Sequence, residues 1–356
     1  MQDIKVTLAK DLKAKPADES KLGFGKIFTD HMFVVNYAPE TGWHDARIVP
    51  YAPFEMDPAS MVLHYGQAIF EGTKCYRAND GSLQMFRPRD NFIRMNRSAQ
   101  RMCMAELDID LCMKGLTQLL QVEKDWVPHS MGTSLYVRPT LIATDPVLGV
   151  HASKTYMFFI ILSPVGAYYP GGLSPIGIWV EDEYVRAVRG GVGHAKTAGN
   201  YAASILAANK AEEKGYVQVL WLDGIERRYI EEVGAMNMMF VYDNKIVTPS
   251  LSGSILPGIT RDSVLKLAAH LGYTVEEGRL AIDEVFEDIK AGRLTEAFGT
   301  GTAAVISPVG ELCFKGEKQK VGDGGIGRVT QQLYDMLTGI QLGREIDPFG
   351  WVIKLP

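Results

Sequence analysis

Arg189-Gly190-Gly191-Val192-Gly193-His194-Ala195-Lys196-Thr197-Ala198-Gly199-Asn200 is the stretch on which the interpretation of this chain turns. Its glycines and small residues break helical and strand periodicity together, so it reads as a loop whose backbone can approach a bound group. Gly190 to Thr197 falls one residue short of the phosphate-binding pattern G-x-x-x-x-G-K-[ST], and the apolar run before Asp223 resembles a strand ending in a magnesium-binding acid. Ala195 stands where that pattern needs its last glycine, and Glu181, Asp182, Glu183, Arg186 and Arg189 separate the loop from the preceding strand. Nucleotide binding is therefore the weaker interpretation. A lysine framed by small residues is the stronger one, although most lysines are solvated surface charges.

Working outward, the chain punctuates clearly. Downstream, Asn200 suits the N-cap of a helix over 201–214 that Gly215 stops. An apolar β-rich run covers 217–222, and Glu231-Glu232 ends a strand just before Val233-Gly234-Ala235-Met236-Asn237. Strands over 237–242 and 245–248 flank the turn Asp243-Asn244. Thr260, after Pro257-Gly258-Ile259, is expected to cap a helix that ends at Gly272, and further helices are expected over 282–291 and 329–337. Gly322-Asp323-Gly324-Gly325-Ile326-Gly327 is a formal G-x-G-x-x-G, but it lacks the preceding strand and the βαβ unit that a dinucleotide site requires. It reads as a surface loop. Upstream, Pro170-Gly171-Gly172-Leu173-Ser174-Pro175 marks a domain boundary, with a strand over 176–180 after it. Strands over 134–144 and 154–165, helices over 89–104 and 111–127, and a hairpin about Ala78-Asn79-Asp80-Gly81 fill the first half.

Composition sets bounds. At 356 residues, 46% hydrophobic and 22% charged, the chain suits a two-domain globular enzyme that needs no disulfides. A net charge of −5 gives no reason to expect nucleic acid or an anionic membrane as partner. The first twenty residues lack a signal-peptide core, and the most apolar stretch, over 156–162, is too short to cross a bilayer, so a cytoplasmic location is expected. Cys75, Cys103, Cys112 and Cys313 form no CxxC pair, which leaves buried reduced thiols as the expectation and no metal site.

The order of parts around Lys196 is what a pyridoxal 5'-phosphate (PLP) site needs. A lysine amine bonds the cofactor aldehyde, and a carboxylate faces the pyridine nitrogen. A helix N-terminus and small-residue turns present backbone amides to the phosphate. Glu232, the segment Pro257-Gly258-Ile259-Thr260-Arg261 and the turn Gly299-Thr300-Gly301-Thr302-Ala303-Ala304 supply those parts in sequence.

These segments resemble the branched-chain amino acid aminotransferases of PLP fold type IV. The first half fits as well, through Phe24-Gly25-Lys26, the run His64-Tyr65-Gly66-Gln67-Ala68-Ile69-Phe70-Glu71-Gly72, Tyr136-Val137-Arg138-Pro139 and Val165-Gly166-Ala167-Tyr168, so the likeness runs from about residue 20 to the end. It implies a homodimer of α/β (α+β) subunits with the cofactor between two domains. These would be a smaller N-terminal domain over 1–168 and a larger C-terminal domain over 179–356 with a barrel-like sheet, joined by a loop over 169–178. It implies Lys196 as the Schiff-base lysine and proton carrier, Glu232 at the pyridine nitrogen, Tyr201 at the ring hydroxyl, and Arg94, Ile259, Thr260 and Thr302 at the phosphate. Phe24, Tyr65, Tyr136 and Tyr168 would wall an apolar pocket, and Ala303 and Ala304 would meet the α-carboxylate. Arg138 would meet the side-chain carboxylate of glutamate, and Leu148 and Val150 would reach in from the other subunit. The implied activity is amino-group exchange between leucine, isoleucine or valine and 2-oxoglutarate. A D-amino-acid aminotransferase or an aminodeoxychorismate lyase would share the fold; the aromatic set with Arg138 favours the branched-chain activity. The sequence departs from some relatives at Ala304 and Ser307, where they carry a CxxC pair, and at Ala235, where they carry a hydroxyl. Arg186 is a supporting charge, and His194 has no assigned role.

Overall fold

The computed structural model describes residues 3–166 and 173–356, in two compact units. The first comprises Met1–Pro170, Ala195–Ala198 and Gly339–Pro356; the second comprises Gly171–His194 and Gly199–Thr338. Lys196 thus belongs with the N-terminal unit, which also takes the longer share of chain because the C-terminal segment returns to it. No helix among the described residues is long and apolar enough to cross a membrane.

The first unit is built on a nine-stranded, mostly antiparallel sheet. Its centre is the long hairpin of Ser134–Ala143 with Tyr156–Val165, paired over ten residues. Thr73–Arg77 and Leu83–Phe86 form the hairpin expected around Ala78-Asn79-Asp80-Gly81, and Val352–Lys354 adds the edge strand. Two helices cover this sheet. Pro88–Arg101 begins with proline, whose fixed φ suits a first helical position. Ile109–Val122 is capped by Asp108, whose side chain accepts from the amides of Asp110 and Leu111. Phe92, Met95, Leu116 and Leu119 meet Phe33, Phe158 and Ile160 in one apolar core.

The second unit closes on itself. Its strands run in the order Ile230–Val233, Gln218–Leu222, Ile176–Glu181, Val305–Phe314, Glu296–Gly301, Met236–Tyr242, and Ile230–Val233 pairs again with Met236–Tyr242. Six strands therefore make a closed barrel, the sheet form expected, with Lys245–Pro249 and Thr274–Gly278 extending one side. Asp243, at φ 52°, takes the left-handed conformation that the tight turn before Lys245 demands.

Several local expectations are corrected. The helix expected over 201–214 is two, Ala198–Ala202 and Ile205–Glu213. Ser204 Oγ donates to Tyr201 O at 2.7 Å, the local bonding by which serine competes with a continuing helix. Asn200 is inside the first of these helices, not at its cap, and its Nδ2 donates to Val192 O. Gly258, not Thr260, is the N-cap of Ile259–His270. Cys103 is exposed; the other three thiols are buried.

Candidate active site

Unit one gathers cations and aromatic rings around one acid. The strand Ala68–Phe70 pairs with Ser134–Ala143, and the loop carrying Lys196 lies against it. Phe70 N donates to Lys196 O at 3.1 Å, and Thr197 Oγ1 donates to Ala68 O at 2.8 Å. From the other side Lys196 N donates to Ser98 Oγ at 2.9 Å. The backbone at Lys196 is thereby fixed from two elements, and its side-chain amine stands 4.8 Å from the centre of the Phe70 ring.

Asn91, Arg94 and Ser98 share one face of Pro88–Arg101 by their spacing of three and four residues. Arg94 donates through Nε and Nη2 to the two oxygens of Glu71, each at 2.7 Å, and Asn91 Nδ2 donates to Glu71 at 2.9 Å. Glu71 is wholly buried. Burial alone would raise its carboxyl, but the charge and hydrogen bond of Arg94, the charge of Lys196 and the Asn91 bond together hold it below the ordinary carboxylate value.

Beside this group Phe24 packs edge-on against Tyr136, their centroids 5.0 Å apart. Arg138 Nη2 donates to the Tyr136 hydroxyl at 3.1 Å, and its guanidinium lies 4.7 Å from the Phe70 ring centre. Gly72 makes room: a Cβ there would stand 2.0 Å from the Tyr136 hydroxyl.

Unit two centres on Glu232, which is 3% exposed in the barrel strand Ile230–Val233. Asn237 Nδ2 and Leu256 N donate to its Oε1 at 3.1 and 3.2 Å, and Arg186 Nε stands 2.5 Å from its Oε2. Arg186 Nη2 reaches the carbonyls of Gly193 and Ser254. Glu232 and Arg186 line a small pocket with Asn200, Tyr201, Ser204 and Ala235. Gly258 is required nearby, since a Cβ there would meet Asn237 Oδ1 at 2.0 Å. Ile259 and Thr260 occupy the first turn of Ile259–His270. Thr302, Ala303 and Ala304 form the turn between Glu296–Gly301 and Val305–Phe314. His194 Nδ1 donates to Gly253 O at 2.9 Å, which gives it a structural place.

The structure therefore brings Phe24, Arg94, Tyr136, Arg138 and Lys196 together in one unit, and Glu232 with Tyr201 in the other. Tyr65 is 41% exposed and faces His64 at 6.2 Å. Leu148 and Val150 are 68% and 88% exposed. Tyr168 lies outside the described residues. Phe70, Glu71 and Ser98 were missed as site residues; only the quoted run through Phe70-Glu71-Gly72 hinted at the first two.

The model of class IV amino-transferases matches residues 68–312. Branched-chain-amino-acid transaminase 1 of Bacillus subtilis (strain 168) is 57% identical over 344 residues, covering 96% of each chain. The chain belongs to this aminotransferase family. Branched-chain-amino-acid aminotransferase 2 of the same organism is 55% identical over 354 residues, covering 99% of this chain and 97% of its own. Among solved structures, the Escherichia coli branched-chain amino acid aminotransferase superposes with a TM-score of 0.77 at 28% identity, covering 92% of this chain and 99% of that one. The Thermoproteus uzoniensis branched-chain aminotransferase solved with norvaline gives 0.76 at 26% identity, covering 92% and 100%.

The residues present suit the cofactor of this aminotransferase family. An amine and a guanidinium share one buried acid in the first unit. In the second, a buried carboxylate held by two hydrogen bonds and an ion pair shares a pocket with a phenol. Such a carboxylate favours a protonated ring nitrogen over a neutral one.

Proposed function

We propose that this chain transfers the amino group between L-leucine, L-isoleucine or L-valine and 2-oxoglutarate, using PLP. The observation that carries it is the convergence of Lys196, Arg94 and Glu71 beside the Phe24, Phe70, Tyr136 and Arg138 cluster. An apolar wall with one reachable cation serves both a branched side chain and the side-chain carboxylate of glutamate, which a wholly apolar pocket would reject.

PLP, when bound, supplies an electron sink that acidifies the Cα–H of the amino acid. Lys196 would carry the cofactor and, as a general base and acid, would take up and return the proton of the substrate Cα. Glu232 would pair with the ring nitrogen, and Arg186 holds that carboxylate in an ion pair. Tyr201 meets the ring hydroxyl. Arg94, Ile259, Thr260 and Thr302 would hold the phosphate, the last three through a helix start and a small-residue turn. Ala303 and Ala304 would offer amides to the α-carboxylate, and Tyr65 would add to the aromatic wall. Leu148 and Val150, apolar yet open to water, suit a second copy's surface, so the working form is a homodimer. The location is cytoplasmic.

The test is steady-state assay of L-leucine and of D-alanine, each with 2-oxoglutarate. Leucine is expected to turn over and D-alanine not. Lys196→Ala is expected to abolish turnover, and near-normal activity in that variant would falsify the assignment. Glu232→Gln is expected to slow turnover severely while the yellow cofactor still binds; an unchanged rate removes Glu232 from its role.

A further inference from the structure

Side chains alternate along a strand, so Glu231 faces away from Glu232. It borders a second and larger cavity of the second unit, about 1010 Å³ with its open mouth, lined also by Arg189, Ile225, Tyr229, Leu251 and Ser252. Glu231 is 6% exposed. One of its oxygens accepts from Ser254 Oγ, and the other, Oε2, has no hydrogen-bond partner among the described residues. A buried acidic oxygen left this way costs stability unless something donates to it.

Apart from Arg189, the other charged side chains of the cavity already have hydrogen-bond or ion-pair partners. The two oxygens of Asp223 accept backbone N–H groups from Ile225, Glu226, Arg228 and Tyr229. Arg279 pairs with Glu226 at 2.8 Å and lies over the Tyr229 ring at 3.5 Å. Arg189 is exposed, makes no hydrogen bond or ion pair among the described residues, and attracts Glu231 electrostatically. Leu251 and Ile225 stand at 47% and 75% exposure.

One acceptor, one guanidinium and two apolar side chains are thus left over in a single cavity. We propose that it binds a free amino acid as the zwitterion, with the ammonium on Glu231, the carboxylate on Arg189 and an apolar side chain against Leu251 and Ile225. A bare carboxylic acid would bring its charge toward Glu231, and a bare amine would leave Arg189 unused. The cavity is coupled to the site described above. Arg186 pairs with Glu232 and also attracts Glu231, so an ammonium at Glu231 releases Arg186 toward Glu232.

The experiment is calorimetric titration of holoenzyme after borohydride reduction, which stops amino-group exchange at Lys196. Loss of the yellow colour on reduction checks the proposed function separately, and the titration is read whether or not it occurs. L-leucine is expected to bind saturably. 3-Methylbutylamine and 4-methyl-2-oxopentanoate, each lacking one charged group, are expected to bind at least about tenfold more weakly. Glu231→Gln and Arg189→Met are each expected to weaken L-leucine by about tenfold or more. Arg189 is exposed, so its variant keeps the fold even where Glu231→Gln disturbs the neighbouring acid. No saturable binding, or binding that Arg189→Met leaves unchanged, overturns the proposal, as does amine or oxo acid binding as well as leucine.

Discussion

Replacing Glu71 by glutamine removes the one charge that Arg94 and Lys196 share. The carboxylate meets Arg94 through two bonds of 2.7 Å, and the pair is buried, at 8% and 0% side-chain exposure. Removing one partner of such a pair costs about 3–5 kcal/mol, chiefly because the other charge is left uncompensated. Glutamine keeps one acceptor oxygen, which puts the expected loss near ~3 kcal/mol. Arg94→Gln is the milder change. Glu71 then still faces Asn91 and the charge of Lys196, whereas Glu71→Gln leaves two cations around a neutral amide. The double variant should be less destabilised than the sum of the two, with a coupling of about 2 kcal/mol. The assay is calorimetric unfolding of the cofactor-free protein, in which ~3 kcal/mol lowers the transition of a unit this size by roughly 6–12 °C. The acid limb gives a second readout. Because the folded carboxyl is held below its ordinary 4.5, its contribution is present above that pH and lost as pH falls through the folded value. The parent should therefore lose stability in acid more steeply than Glu71→Gln. Strictly additive losses, or Arg94→Gln as the worse variant, refute the reasoning.

Two further outcomes follow from the same unit. Burial pulls the amine of Lys74 from 10.5 to about 8, so the unfolded chain holds more protons between those values and stability should rise with pH across that window. Lys74→Met should flatten the rise; denaturant melts at several pH values decide it, and an unchanged slope contradicts it. Gly72→Ala should drive the Tyr136 ring from its place and break its bond to Arg138. Substrate KM should then rise several-fold with cofactor content unchanged, as measured by steady-state kinetics and absorbance; an unaltered KM removes the Tyr136–Arg138 pair from the pocket.

Much of this architecture was legible because it is local. The turn at Asp243-Asn244 and the hairpin at Ala78-Asn79-Asp80-Gly81 declare themselves within a few residues. The apolar spacing of Phe92 and Met95 is likewise complete within one helix. The break in the helix at Ser204 was less legible, because it depends on whether one hydroxyl bonds its own backbone or leaves the helix alone. Barrel closure was not legible from residue patterns, since Ile230–Val233 pairs on both edges and four residues carry no mark of their second partner. The return of Val352–Lys354 to the first sheet was hidden for the same reason: it is short, half-polar and far along the chain from its partner Leu83–Phe86.

The charged residues show the limit most sharply. Glu231 and Glu232 are adjacent and chemically identical, so composition and motif treat them as a pair. The strand's period of two separates them, sending one to the pocket with Arg186 and Tyr201 and the other to the cavity with Arg189 and Leu251. What each carboxylate does then depends on its donors. Glu232 has two hydrogen bonds and an ion pair, enough to fix its direction, whereas Glu231 keeps one oxygen that nothing among the described residues satisfies. Arg186, set apart in sequence from both, is the residue through which a change at one acid reaches the other. Because Arg186 is ion-paired with Glu232 and only attracts Glu231 from beyond contact, neutralising Glu231 would leave that guanidinium to Glu232 alone, and this sets the direction of any coupling between the two cavities.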